Sequence, residues 1–494
     1  MTERFDRSVE GFDFSAASPI QAAVKAAYAA NPIPQISPDQ FRVLGGLTFP
    51  NVNGNPRTLW NYNKKNFMPR VGLAYSLTPL TVIRTGFGIY FEPNGVPNFD
   101  VIQTGFTQTT QLVPSLDNGQ HYIGTLENPF PNGMLPPVGA GNGLSTNLGQ
   151  NVSFFNPDLR TPYMARWQFA VQRSLPGGSV VEVSYAGNRG VRQRISRNLD
   201  ALPNQYLSTS AVRDQQTINF LNAQVPNPFY PLLPGTSLAG TTVARSQLLL
   251  PYPQFTGVTM DTNQGYSWYH SMQTRFEKRY SAGFMTTVSW TWSKLMEART
   301  YLNAGDPMPE KVISDQDRTH RLAVSGVYEL PFGKGKTWGG AWKGFASKAI
   351  SGWQASAIYQ AQTGPPLGFG NAIFNGNLAS IPIPDSERTV DRWFNVDAGF
   401  ERNSAVQLAS NLQKLSSRFS GIRAAGTNNI DLGLIKNTQI GERFQVQFRA
   451  EGINAFNHPQ FLGPNTTPSS SAFGQVTAEW SSPRTIQLAM KILF

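Results

Sequence analysis

Hydrophobic and polar residues alternate along much of this chain with a period of two. In "RFQVQFRAEGINAF", Phe444, Val446, Phe448 and Ala450 fall on one face, while Gln445, Gln447, Arg449 and Glu451 fall on the other. The same split recurs in "HSMQTRFEKRY", where Met272, Thr274 and Phe276 oppose Gln273, Arg275 and Glu277, and in "RWQFAVQRS", where Trp167, Phe169 and Val171 oppose Arg166, Gln168 and Gln172. Successive side chains of a strand point to opposite faces, so this pattern predicts strands with one apolar and one polar face. About twelve segments qualify: 41 to 49, 67 to 77, 80 to 91, 164 to 174, 179 to 187, 266 to 280, 283 to 294, 319 to 331, 350 to 362, 429 to 438, 442 to 455 and 485 to 494. Most have the length that a tilted strand needs to cross a bilayer core.

The connections alternate as well. "TP", "LPGG", "SA" and "TQI" are tight turns, joined by a longer link around "GKGKTWGGAWKGFASK", and every second connection is instead a long loop rich in Pro, Asn and Gly. Counted back from the last strand, all five short links fall on one side. Short turns at one end and long loops at the other are the mark of an outer-membrane barrel. A large secreted β-sandwich or propeller also alternates but has no reason to keep that order.

Composition agrees. Aromatic residues make up 12% of the 494 residues and charged residues 14%, with Gly 45 and Pro 36, which favours strands joined by exposed polar loops. There is no cysteine, so no disulfide, thiolate nucleophile or cysteine-bound metal is expected. The net charge of +11 comes from basic residues scattered singly, so nucleic acid is not expected as a partner. No apolar run is long enough for a transmembrane helix. The first residues, "MTERFDRSVEGFDF", lack the apolar core of a signal peptide, so at this point either a cytoplasmic protein or a missing true N-terminus is expected.

The last segment, "TIQLAMKILF", places Ile486, Leu488, Met490, Ile492 and Phe494 at every second position. It resembles the C-terminal signal by which barrel-assembly machinery recognises outer-membrane proteins. The segments "NFMPRVGLAYSLTPLTVIRTGFGIYFE", "WQFAVQRSLPGGSVVEVSYAGNRG", "DRTHRLAVSGVYELPFGKGK" and "FRAEGINAFNHPQF" resemble the barrel of large TonB-dependent outer-membrane receptors of the Oar-like type, whose N-terminal end carries a carboxypeptidase-regulatory-like domain. The resemblance implies a signal peptide, a TonB box, a plug domain and a 22-stranded barrel, of which this chain would supply the C-terminal half. Residues 1–39 then read as a loop segment of the truncated upstream barrel with room for a short helix, and 40–494 as the barrel region. Any contact with the TonB complex would run through the missing N-terminal region.

The expected fold class is therefore all-β, an antiparallel transmembrane β-barrel with long extracellular loops in a Gram-negative outer membrane. The expected function is to bind an unknown solute at those loops for energised uptake; the alternative is a surface adhesion or structural barrel without transport. On the wall, Arg84, Arg166, Gln168, Gln273, Arg275, Glu277, Glu329, Arg449 and Glu451 are expected to face the lumen, because a charge on the lipid face near mid-membrane costs roughly 2 to 4 kcal/mol. Pairing of these charges with one another is an equal alternative to contact with a plug or solute. Trp290, Trp292, Tyr328 and Trp353 fit aromatic girdles at the two membrane interfaces. Recognition is expected on the loops 92 to 163, 188 to 265 and 363 to 428, with Tyr122, Tyr206, Phe229, Tyr230 and Trp393 as their aromatic residues.

No enzyme chemistry, cofactor or metal site is expected. "GKGKT", Gly333 to Thr337, has Leu330 where a phosphate loop needs glycine and follows a strand into a turn. Asp317, His320 and Ser325 have the residue types of a catalytic triad without the strand-to-helix elbow. His121, His270, His320 and His458 are scattered and form no pair with metal-ligand spacing.

Overall fold

A computed structural model describes the chain except for residues 1–3, 62, 93–100, 108–119, 123, 132 and 135. Among the described residues, eleven long strands form one antiparallel wall: β1 (Arg70–Thr78), β2 (Thr81–Phe91), β3 (Tyr163–Leu175), β4 (Ser179–Asn198), β5 (Gly257–Ser281), β6 (Phe284–Ala298), β7 (His320–Glu329), β8 (Trp353–Gln362), β9 (Thr427–Ile440), β10 (Phe444–Ile453) and β11 (Thr485–Leu493). Each is hydrogen-bonded to its neighbours in sequence order, a plain meander. Two short strands lengthen the wall at its loop end: Asn151–Phe155 lies parallel to the start of β5, and Val312–Ile313 pairs with the end of β6. No described helix is long and apolar enough to cross a membrane.

Five tight or short links, between β1 and β2, β3 and β4, β5 and β6, β7 and β8, and β9 and β10, lie at one end of the wall. At the β5–β6 link, Ala282 and Gly283 both have positive φ, 52° and 78°. That backbone follows the right-handed strand twist and so allows so short a hairpin.

The wall is staggered. The cross-strand row that begins at the β3–β4 turn, Leu175 opposite Ser179, runs through Lys278, Thr286, Gly326 and Ala357 to Leu432. The turn that closes β9 lies eight residues further on, at Ile440 opposite Phe444. Such accumulated stagger is the tilt that a curving sheet needs to close into a barrel. The wall itself stays open, with β1 and β11 as its two edges. Both edge strands run toward the turn end.

One expected wall strand is not there. The segment 41 to 49 contains the strand Leu44–Thr48, but this pairs with Gly11–Ala17 in a separate two-stranded sheet. Its alternating residues Phe41, Val43, Leu47 and Phe49 are all buried, in a core built with the helix Gln21–Ala30 and with residues of the loops between β2 and β3 and between β4 and β5. Tyr28 of that helix stacks on Phe41 with 3.9 Å between ring centres, and its hydroxyl donates to the Ile36 carbonyl at 2.7 Å. The wall thus has eleven of the twelve expected strands, and the stretch from Val9 to Trp60 packs into the cores of the loop end. A second apolar core, around Phe369, Phe394, Phe400 and Phe473, knits together the loops that follow β8 and β10.

Candidate functional site

In an antiparallel pair, directly opposed residues point to the same side of the sheet. Following the pairs from strand to strand therefore sorts the whole wall into two faces. One row runs Arg84, Ala170, Ser184, Gln273, Thr291, Arg321, Gln362 and Thr427, and the parallel rows above and below it complete a polar face. All nine expected site residues, Arg84, Arg166, Gln168, Gln273, Arg275, Glu277, Glu329, Arg449 and Glu451, lie on that face.

Many of them are neighbours in charge. Arg84 reaches Glu182 at 3.5 Å and also hydrogen-bonds Gln172. Arg275 pairs with Glu277 at 2.9 Å, Arg449 with Glu451 at 3.8 Å, and Glu329 accepts from Lys336 at 2.8 Å and from Tyr280 at 2.9 Å. These pairs are half-exposed, so each contributes on the order of 1 kcal/mol or less to stability. Their effect is to keep the face charged yet locally balanced.

Arg166, Gln168 and Gln273 come together in a groove of about 500 Å³ on this face. Tyr90 stands in it with the Arg70 guanidinium 4.7 Å from its ring centre and Arg166 at 6.0 Å. The ring has room because the neighbouring residue of the same strand face is Gly88, where a Cβ would come within 3.0 Å of it. Tyr269 and Asn188 complete the lining. The sequence reading missed Arg70, Tyr90, Asn188 and Tyr269, although the alternation that marked Arg84 and Gln273 also runs through these positions. The groove offers hydrogen-bond donors and the rings of Tyr90 and Tyr269 to a polar ligand.

The opposite face is apolar, with Val171, Val183, Phe276, Val288, Val324, Leu432, Phe448 and Met490 in adjoining rows. Trp290 and Trp292 are on this face toward the loop end, and Tyr328 and Trp353 are on it at the turn end. The two aromatic sets are thus separated along the strands, as girdles require. Asp317, His320 and Ser325 do not assemble. The Asp317 carboxylate is held by Arg423 at 2.7 Å, His320 stacks near Trp290 on the apolar face, and Ser325 is on the polar face.

The loop aromatics divide. Phe229 is fully buried in the first core, Tyr206 packs against that core, and Trp393 donates its indole N–H to the Arg423 carbonyl at 2.8 Å. Tyr122 and Tyr230 are exposed. Burial removes only Phe229 from the expected recognition role, since a buried ring cannot meet a ligand without unfolding its core; Tyr206 and Trp393 are part-exposed. Of the loop stretch 92 to 163, residues 93–100, 108–119, 123, 132 and 135 lie outside the described residues.

Asp200, just beyond β4, is buried beside this core. One carboxylate oxygen accepts the Tyr252 N–H at 2.8 Å, and the other is buried without a recorded partner among the described residues. Burial raises its pKa to about 7. Because the unfolded carboxyl titrates near 4, the folded loops hold a proton that the unfolded chain has released, and stability is lost as pH rises from about 4 to 7. Limited proteolysis of the loops should therefore speed up over that range and level off above it. In Asp200→Asn the pH dependence should flatten; a slope unchanged by the substitution would remove Asp200 as its source.

An open, meandering antiparallel wall with one apolar face between aromatic girdles, short turns at one end and large loops at the other, is the wall of an outer-membrane β-barrel. The chain belongs to the outer membrane beta barrel domain family, whose model matches residues 1–487, and its place is the outer membrane. No curated protein sequence matches it significantly. Among solved structures it is similar to the outer membrane transporter YddB from Escherichia coli, with 9% identity and a TM-score of 0.39, covering 84% of this chain and 38% of that one. It is also similar to the pyoverdine outer membrane receptor FpvA from Pseudomonas aeruginosa, with 11% identity, a TM-score of 0.37 and coverage of 91% and 38%. For the FrpB iron transporter from Neisseria meningitidis the values are 10%, 0.36, 86% and 39%. The chain spans about two-fifths of the length of each of these proteins.

Proposed function

We propose that this chain is the C-terminal barrel part of a TonB-dependent outer-membrane receptor that binds a solute at its extracellular loops for energised uptake. The observation that carries the reading is the polar face. A barrel that served only as an anchor for adhesion could fill its interior with any packed side chains, whereas here Arg84, Arg166, Gln168, Gln273, Arg275, Glu277, Glu329, Arg449 and Glu451 line one continuous face that includes a polar groove. Facing the lumen, such a surface suits a removable plug or a wet path. On the loops, the exposed rings of Tyr122 and Tyr230 would be free to meet a solute. Energy would reach the barrel through the TonB complex by way of segments outside this chain, and the barrel-assembly machinery would read Ile486, Leu488, Met490, Ile492 and Phe494 on the last strand.

The test is made in the native organism. Strains carrying the intact gene, a deletion, or a deletion complemented with Arg166→Ala are grown with a glycan, a peptide or a ferric chelate as the limiting source. Loss of growth on one of these in the deletion, restored by the intact gene and only weakly by Arg166→Ala, is the expected result. Growth unchanged on all three, together with lost attachment to surfaces, would replace uptake with adhesion.

A further inference from the structure

The charges of the wall are divided between its faces in a way that the lumen reading does not use. Glu182, Glu277, Glu297, Glu329, Asp431 and Glu451 all stand on the polar face. Between the turns and Tyr266, the described apolar face carries no acidic residue. It carries cations at its two ends only: Arg173, Lys278 and Lys436 by the turns, and Arg189 and Lys294 toward the loops.

The upper cations form a group. Trp268 lies directly opposite Arg189 on one side and Met296 on the other, and Lys294 lies opposite His270. From the adjoining loop, Lys311 places its ammonium 4.8 Å from the Trp268 ring centre. Arg189, Lys294 and Lys311 are exposed, and none has an ion-pair partner among the described residues. Beside them is a cleft of about 490 Å³, bounded by Lys294, Tyr185, His270, Trp292 and Arg423. The Tyr185 hydroxyl and His270 Nδ1 are hydrogen-bonded at 2.7 Å, and Arg423 is balanced by Asp317 at 2.7 Å. The uncompensated charge in the cleft is therefore that of Lys294.

Height along the wall says what this group meets. Arg189 is ten positions beyond Ser179, the first residue of β4 after its turn. At about 3.3 Å per residue and a tilt of about 40°, that is roughly 25 Å, the height of the apolar band of an outer-membrane barrel. The cations thus stand at the level of the headgroups of the outer leaflet, directly above an aromatic and aliphatic strip that includes Met272 and Phe276.

We infer that Arg189, Lys294 and Lys311, with Trp268 and the cleft beside His270, bind a phosphorylated lipid of the outer leaflet. Its phosphate sits among the three cations and its acyl chains lie down the apolar strip. The site rests on the reading of this face as lipid-facing, and the experiment separates the two.

The full chain, purified from membranes in a non-ionic detergent, is titrated with phosphatidic acid, with diacylglycerol and with inorganic phosphate, and bound lipid is counted by native mass spectrometry. Phosphatidic acid should bind well above diacylglycerol, and inorganic phosphate at equal concentration should not displace it. Each of Arg189→Gln and Lys294→Gln should weaken phosphatidic acid binding about five-fold, as expected for one basic residue near a charged lipid surface. Lys278→Gln, at the opposite end of the same face, should leave this binding unchanged. Equal binding of the two lipids, displacement by inorganic phosphate, or insensitivity to both substitutions would overturn the site. Because the chain has no cysteine, Phe448→Cys can carry a single fluorophore in vesicles with nitroxide-bearing acyl chains. Quenching of that label with no preference for phosphatidic acid discards the lipid site alone; absence of quenching discards the lipid-facing reading with it.

Discussion

Phe448→Arg should nearly abolish the folded, membrane-inserted wall, while Arg449→Phe, one residue away, should leave most of it intact. The two positions stand on opposite faces of β10, Phe448 opposite Met490 and Arg449 opposite Ala489. An arginine on the lipid face costs roughly 2 to 4 kcal/mol at mid-membrane, less toward the interfaces. Here a second cost is added, because Phe448 also lies opposite Lys436 of β9. Lys436 escapes the hydrocarbon by bending to the turn end, where its ammonium donates to the carbonyls of Lys348, Ala349 and Ser351 at 2.8 to 3.0 Å. Those acceptors are already used, so a guanidinium at position 448 would face a like charge.

Arg449, by contrast, is half-exposed, hydrogen-bonded to Gln447 at 2.6 Å and only 3.8 Å from Glu451. Its loss leaves a carboxylate in contact with water, which costs on the order of 1 kcal/mol or less. The measurement is the fraction of heat-modifiable folded band on a gel after refolding into vesicles. Equal losses in the two variants would mean that the faces are assigned the wrong way round.

The second large effect concerns the two edges. β1 and β11 each leave one side of their backbone unpaired, and an unpaired backbone group in hydrocarbon costs several kcal/mol. The segment 41 to 49, whose alternation suits a wall strand, is engaged in the loop core and cannot reach β11. Nor would β1 and β11 make an antiparallel pair, since both run toward the turn end. Antiparallel closure needs an odd number of further strands, of which the first and last run away from the turns, whichever polypeptide supplies them. By itself the chain should therefore give vesicles that leak irregularly and a wall open to protease along β1 and β11. Adding a polypeptide with such a set of strands should seal and protect it. A protease-resistant, closed barrel formed by residues 1–494 alone would show that the edges can meet and that the wall is autonomous.

Much of this was legible in the sequence because a strand writes its two faces into alternate positions. Phe448 and Arg449, or Phe276 and Glu277, could be sorted without any partner, and all nine polar candidates do share one face. The order of short and long connections likewise follows from composition, since Gly and Pro mark a turn wherever it lies. What alternation cannot say is what a strand pairs with. Phe41, Val43, Leu47 and Phe49 have the same period as a wall strand, yet their apolar side meets Tyr28 and other core residues instead of lipid. Period two reports that one side is dry, and protein interior and hydrocarbon are equally dry. For the same reason, Phe229 and Trp393 looked like surface aromatics of long loops until the fold placed one inside a core and hydrogen-bonded the other. The gathering of Arg189, Lys294 and Lys311 around Trp268 is also a product of register. Residues more than a hundred positions apart became neighbours only when β4, β5 and β6 were laid side by side, because cross-strand pairing is set by contacts that the local sequence does not contain.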